Sequence, residues 1–221
     1  MKYEADEKHV TEILKYFNLN KESRGLDAPI VRESAAEAAE DSKPLDAKGT
    51  TEFRGLEARA NYLSLDRADI QYATKEACRD MAAPTHKSMT KFKRIARYLL
   101  NHPRVSINFR AGNLANDEVI DVYSDSDWAG CKKTRKSTSG GAMIAAGGLV
   151  KIWSGTQTII AQSSGEAEYY ALARAAAEAL GLQSVMADLG WRSTIRIWVD
   201  SSAAKALASR TGLGRVQHME G

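Results

Sequence analysis

Val119-Ile120-Asp121-Val122-Tyr123-Ser124-Asp125 is a β-branched and aromatic run that ends on an acid, and Trp128-Ala129-Gly130 follows it. A run of this kind, bounded by turn residues, reads as a strand. Beyond it a basic loop, Lys132-Lys133-Thr134-Arg135-Lys136, leads to a second strand over 141–146 and a turn at Gly147-Gly148. A third strand runs from Leu149 to about residue 162. Short glycine turns between consecutive strands predict an antiparallel meander. Residues 165–189 then read as a long alanine-rich helix closed by Gly190, residues 194–200 as a fourth strand, and residues 203–209 as the start of another helix. A strand placed after a helix, beside a meander, implies an α/β fold: a mixed sheet with helices packed on it.

Acids stand at the ends of these elements. Asp125 closes the first strand and Asp200 the fourth, and sites in open α/β sheets gather outside the carboxyl ends of strands. Either alone would serve as a turn or cap residue. The pair at equivalent ends is more suggestive. In the long helix Ser163 and Glu166 have capping-box spacing, which gives Glu166 a structural task. Glu168 has none, and helical spacing sets it on one face with Leu172, Ala175, Ala179 and Leu182. An acid on a core-facing stripe is costly unless something cationic neutralises it. Brought together, Asp125, Glu168 and Asp200 would repel one another, and no Lys or Arg lies within four residues of Asp125 or next to the other two. A divalent cation is the natural counter-charge. Carboxylate ligation without clustered thiolates or histidines suits Mg²⁺ or Mn²⁺, and two such ions are the apparatus of phosphodiester hydrolysis. Asp127, two along from Asp125, is a spare.

The N-terminal half is helical in pattern. Val10, Ile13, Leu14 and Phe17 make one apolar stripe, and residues 31–50 are rich in Ala, Glu, Asp and Ser with no aromatic residue, which reads as a linker. Pro84 separates a helix of about 70–81 from one of about 86–100, and Pro103 ends the second. That second helix carries Met89, Phe92, Ala96 and Leu99 on its apolar stripe. Lys87, Lys91 and Arg94 lie along another face, with Lys93 and Arg97 beside them. Residues 51–110 hold 12 Lys/Arg against 6 Asp/Glu, whereas residues 111–221 hold 11 of each. A basic helix of this kind can lie along a phosphate backbone, and Lys132, Lys133, Arg135 and Lys136 form a second basic segment.

Composition narrows the class. With 221 residues, 43% hydrophobic and 27% charged, the chain has the make-up of a soluble globular protein. No apolar stretch approaches the ~20 residues of a membrane helix, and residues 1–20 lack a signal-peptide core. Cys78 and Cys131 form neither a disulfide framework nor a zinc motif, as expected of a reduced intracellular chain.

Four ordered motifs carry a resemblance: Tyr123 to Cys131, Thr134 to Gly141, Ser163 to Leu172 and Val199 to Leu207. Over 122–221 the chain resembles the ribonuclease H domain of Ty1/copia-type retrotransposon Pol polyproteins. Upstream, Asn61-Tyr62-Leu63 with Asp66 to Ala73, and the helix from His86 to Leu100, resemble the segment that joins that domain to the reverse transcriptase. Ala68 stands where the family usually has proline. The resemblance implies four parts: residues 1–31 from the end of the polymerase, an acidic linker over 32–50, a basic helical connection over 51–112 and a ribonuclease H-like domain over 117–221. It implies hydrolysis of the RNA strand of an RNA/DNA hybrid with two Mg²⁺ ions, for which Mn²⁺ can substitute. Asp125 would bridge both ions, Glu168 and Asp200 would hold one each, and groups near Ser126 and Ser201 would meet the RNA 2′-hydroxyls.

The polymerase's paired-aspartate motif does not occur in the chain, so reverse transcription is not expected of it. The family's fourth ligating aspartate follows a fifth strand, and the chain reaches Gly221 first, with His218 at a histidine position of the family. The resemblance therefore implies a domain short of its last strand and a weakened second metal site. The alternative function is that of a non-catalytic, nucleic-acid-binding relic using the basic helix and loop. The element's life cycle points to the cytoplasm, with a nuclear phase.

Overall fold

A computed structural model describes residues 1–31, 42–109 and 118–210. The chain divides between Ile107 and Asn108 into two compact units.

The first is helical: α1 (Glu7–Tyr16), α2 (Ala47–Leu63), α3 (Ala68–Cys78) and α4 (His86–Asn101). Two three-residue strands, β1 (Lys2–Glu4) and β2 (Ser106–Asn108), pair at its ends. Three of the helices begin on side-chain caps. Asp6 accepts from Lys8 N–H, Asp46 from Gly49 N–H, and Thr85 from Ser88 N–H, with Ser88 answering the Thr85 amide. Phe92, Ala96 and Leu99 of α4 are fully buried, as their spacing requires, and Met89 sits at the margin. They pack with Ile13 of α1, Phe53 and Leu63 of α2, and Ile70 of α3. Each such side chain contributes about 1.5–3 kcal/mol through burial.

Arg67, 1% exposed, locks this unit. Its Nε and Nη2 donate to the two Asp69 oxygens at 2.9 and 2.7 Å, and its nitrogens reach His102 O at 2.7 Å and Pro103 O at 3.1 Å just past α4. Tyr98 Oη adds a bond to Asp69 at 2.9 Å. Burial alone would raise the Asp69 carboxyl, but Arg67 and then Tyr98 hold it below the ordinary range. The Asp66–Ile70 motif thus has a structural explanation. The linker reading needs correction over 44–50: Pro44 bridges Thr85, Leu45 N–H donates to Pro84 O, and α2 begins at Ala47. The rest of that stretch, 32–41, lies outside the described residues, as do 211–221 with His218 and the expected loss of a strand.

The second unit is a mixed sheet with helices. Its elements are β3 (Glu118–Asp127), β4 (Thr138–Ala145), β5 (Gly148–Thr156), α5 (Ser164–Asp188), β6 (Ser193–Trp198) and α6 (Ser202–Ala208). The strand order is β5-β4-β3-β6. β3, β4 and β5 form the expected antiparallel meander, and β6 joins β3 in parallel, with Tyr123 opposite Trp198. Ile120 and Val122 of β3, Met143 of β4 and Trp153 of β5 make a core with Ala175, Ala179 and Met186 of α5. The small α5 residues let the helix lie close on the sheet. Trp153 lies across Gly141, its cross-strand partner, where a Cβ would stand 2.1 Å from the indole.

Several boundaries differ from the sequence reading: β4 begins at Thr138, three residues before the expected start, and β6 ends at Trp198, so Asp200 lies just past the strand instead of closing it. The β4–β5 turn is Ala146-Gly147, with φ of 52° and 69°, one residue earlier than expected. β5 stops at Thr156 because residues 157–162 leave the sheet, where Ala161 O accepts from Trp128 Nε1.

Candidate metal centre

Two elements of the second unit and the connection between two others deliver one acid each to the same end of the sheet. Asp125 is exposed near the end of β3. Glu168, 9% exposed, sits near the start of α5, and Asp200 lies between β6 and α6. The start of α5 is fixed by Ser163 Oγ, which accepts from Glu166 N–H at 3.2 Å. Glu166 Oε2 accepts from Gln162 N–H at 2.7 Å, so the capping arrangement closes one residue before the expected one. That engagement leaves Glu168 as the acid facing the sheet.

One carboxylate oxygen from each of Asp125, Glu168 and Asp200 lies within 4.8 Å of the others. Ser126, the residue after Asp125, mediates between two of them. Its N–H is shared between Asp125 Oδ1 at 2.9 Å and Glu168 Oε1 at 3.2 Å, and its hydroxyl donates to the same Glu168 oxygen at 2.7 Å. Burial holds the Glu168 carboxyl above its ordinary range. The charges of Asp125 and Asp200 push the same way, and the Ser126 bonds oppose them. Glu168 Oε2 is buried without a partner, and among the described residues no Lys or Arg pairs with any of the three acids. An orphaned buried carboxylate oxygen facing like charges is the environment a hard divalent cation relieves. The donor set therefore fits Mg²⁺ or Mn²⁺.

Asp127 stands outside this cluster. Its carboxylate lies against Gly130, where a Cβ would come within 1.9 Å of it, and its carbonyl accepts from Gly130 N–H. The serines expected near RNA have internal roles: Ser126 holds Glu168, and Ser201 Oγ accepts from Ala204 N–H to cap α6.

The basic segments fall in different units. The loop of Lys132, Lys133, Arg135 and Lys136 leaves the end of β3 that bears Asp125. Lys132, Lys133 and Arg135 are exposed and Lys136 is half-buried. Cys131 closes the loop, exchanging backbone bonds with Arg135 and Lys136 and accepting from Thr134 N–H on Sγ. On α4 of the helical unit, Lys91 and Lys93 are exposed and Lys87, Arg94 and Arg97 half-buried. Arg97 Nε donates to Arg24 O at 2.8 Å, so its guanidinium anchors the segment after α1. Sequence reasoning missed Ser126 and the buried Gln157 as supports of the site, because the partners of both are distant in sequence.

No family model matches the chain, and no solved structure matches it significantly. Curated proteins do. The Retrovirus-related Pol polyprotein from transposon RE1 of Arabidopsis thaliana is 35% identical over 144 residues, 65% of this chain and 10% of that polyprotein. An uncharacterized mitochondrial protein of the same plant is 34% identical over 58% of this chain and 52% of its own length. The Pol polyprotein from transposon TNT 1-94 of Nicotiana tabacum is 26% identical along 98% of this chain and covers it with 16% of its own length. The chain thus spans about a tenth of the RE1 polyprotein and about half of the mitochondrial protein. Two transposon polyproteins from different plants align with it, one of them along nearly its whole length, so the chain is similar to copia-type retrotransposon Pol polyproteins.

Proposed function

We propose that residues 118–210 act as a ribonuclease H-like domain of a retrotransposon Pol polyprotein, hydrolysing the RNA strand of an RNA/DNA hybrid. The observation that carries this reading is the convergence of Asp125, Glu168 and Asp200 within 4.8 Å, with one buried oxygen left unpartnered. Asp125, Glu168 and Asp200 would hold Mg²⁺, or Mn²⁺ in its place. Such ions, when bound, lower the pKa of an attacking water and stabilise the leaving oxygen of a phosphodiester. The chain's own part is to hold three carboxylates in register against their repulsion. The Ser126 amide draws two of them together, and Lys133 and Arg135 supply phosphate contacts beside them.

Cleavage of a labelled RNA/DNA hybrid in Mg²⁺ and in Mn²⁺ tests the reading. Wild type should cut the RNA strand, and Asp125→Asn should not. In EDTA that variant should melt higher than wild type, because one charge repelling Glu168 is gone. Mg²⁺ should raise the melting temperature of the wild type alone. Salt-sensitive hybrid binding without cleavage, and without stabilisation by either ion, would favour the nucleic-acid-binding relic instead.

A further inference from the structure

Three side chains outside the acid cluster, Ser126, Ser139 and Gln157, tie it into a circuit of hydrogen bonds, strand pairing and backbone. Ser126 bonds Glu168 Oε1 through both its amide and its hydroxyl. Across the sheet Ser126 is paired with Ser139 of β4, which is 3% exposed. Ser139 Oγ accepts from Gln157 Nε2 at 2.9 Å, and the same Gln157 nitrogen donates to Ala167 O at 2.8 Å. Ala167 precedes Glu168. The circuit therefore returns to its start, from Glu168 through Ser126, the β3–β4 pair, Ser139 and Gln157 to the backbone beside Glu168. Gln157 is 8% exposed, and its own N–H donates to Ser137 O at 2.8 Å, which fixes it as it leaves β5. Ser139 and Gln157 are buried, and Gln157 satisfies its Nε2 with two acceptors while its Oε1 has no partner among the described residues, so the two Nε2 bonds are what tie β4 to the start of α5.

We infer that Ser126 and Gln157 are positioning residues that fix the Glu168 carboxyl, engaging Oε1 with the protein and leaving Oε2 as the open ligand oxygen. The inference rests on the metal-site reading above. It adds which residues set the ligand's orientation. Without the Ser126 hydroxyl, the Glu168 carboxyl loses its shortest bond and turns more freely. Without Gln157, the first turns of α5 lose their tie to β4.

The test uses the full chain and Mn²⁺ alone as probe, with free ion followed by electron paramagnetic resonance at fixed pH. Partners that orient a ligand typically contribute 10–100-fold to metal affinity, so Ser126→Ala should lose at least roughly tenfold. Ser126→Thr, which keeps the hydroxyl, should bind nearly as wild type, and a merely structural role would not separate the two. Equal affinity in Ser126→Ala and wild type overturns the inference, and so does an equal loss in the Ala and Thr variants. Absence of Mn²⁺ binding by wild type, or undiminished binding by Asp125→Asn, defeats the metal-site reading instead. Hydrogen exchange in cation-free protein then still decides the circuit. Gln157→Leu should speed exchange at the amides of Ala167–Ala171 while the amides of β3 stay protected. Unchanged exchange there overturns the inference whatever the metal result.

Discussion

Glu57 occupies the interior of the helical unit with no exposure to solvent. Its Oε2 accepts from Cys78 Sγ at 3.4 Å, and its Oε1 has no partner among the described residues. Burial pushes its carboxyl up to about 8, with Asp80 adding to the effect and Cys78 opposing it. The Cys78 thiol is itself pushed up to about 12, by burial first and by Glu57 second, so it stays a thiol. The consequence for stability has a definite sign. Between an ordinary carboxyl value and about 8 the unfolded chain releases a proton that the folded chain keeps, so this group lowers stability as pH rises through that window. Each unit of pKa difference is about 1.4 kcal/mol, so the fall amounts to a few kcal/mol. Hydrogen exchange at the α2 amides checks this without interference from the other unit. Wild-type protection should drop from pH 5 to pH 8 once the chemical exchange rate is divided out, and protection in Glu57→Gln should stay flat. A parallel drop in both proteins would place the titration elsewhere.

Elements were legible where a period or a turn residue was long enough to speak, and the β4–β5 hairpin marks the resolution of that reading. A β-branched, aromatic run over 119–125 and the bounding turn residues around 141–146 identified both strands, but the glycine pair suggested the wrong turn centre. A two-residue hairpin turn of this hand needs positive φ at both central positions, and here Ala146 takes one of them at 52°. Alanine in that region costs about 1 kcal/mol. Ala146→Asn should therefore stabilise the sheet unit by roughly 0.5–1 kcal/mol, seen as a higher urea midpoint in tryptophan fluorescence, since all four tryptophans lie beyond residue 127. A lower midpoint would mean that the larger side chain meets an obstacle at the turn. Other elements left no signal of their own. β1 and β2 are three residues each, too short for a period. The start of α2 lay inside a stretch whose composition resembles a linker, and only Asp46 marked it. At the site, Glu168 was readable as a helix acid with no capping task, and Asp125 and Asp200 as a pair placed at equivalent strand ends. Ser126 and Gln157 were not, because their partners are 42 and 10 or more residues away and only the fold brings them near.

At the scale of the whole molecule, charge counted along the chain and charge offered to a ligand part company. Residues 51–110 carry the largest cationic excess, yet the fold engages much of it internally. Arg54 donates to Met81 O and Ala82 O, Arg67 is buried on Asp69, and Arg79 and Lys75 both pair with Glu76. Arg97 holds Arg24 O, and Arg104 pairs with Glu4 and Glu7. A cation committed to a carboxylate or to backbone carbonyls releases few counterions when a polyanion arrives, so it adds little to the salt dependence of binding. The β3–β4 loop has a smaller excess, but it is exposed and lies at the sheet end that carries the acid cluster. The sheet unit should therefore supply the larger share of hybrid affinity. For an uncut hybrid titrated in Ca²⁺ at several salt concentrations, Lys133→Ala with Arg135→Ala should flatten the slope of log affinity against log salt by nearly one for each phosphate no longer neutralised. Lys93→Ala on α4 should change that slope by less. A larger effect from Lys93 would return the main phosphate-binding surface to the helical unit, where the sequence count alone had put it.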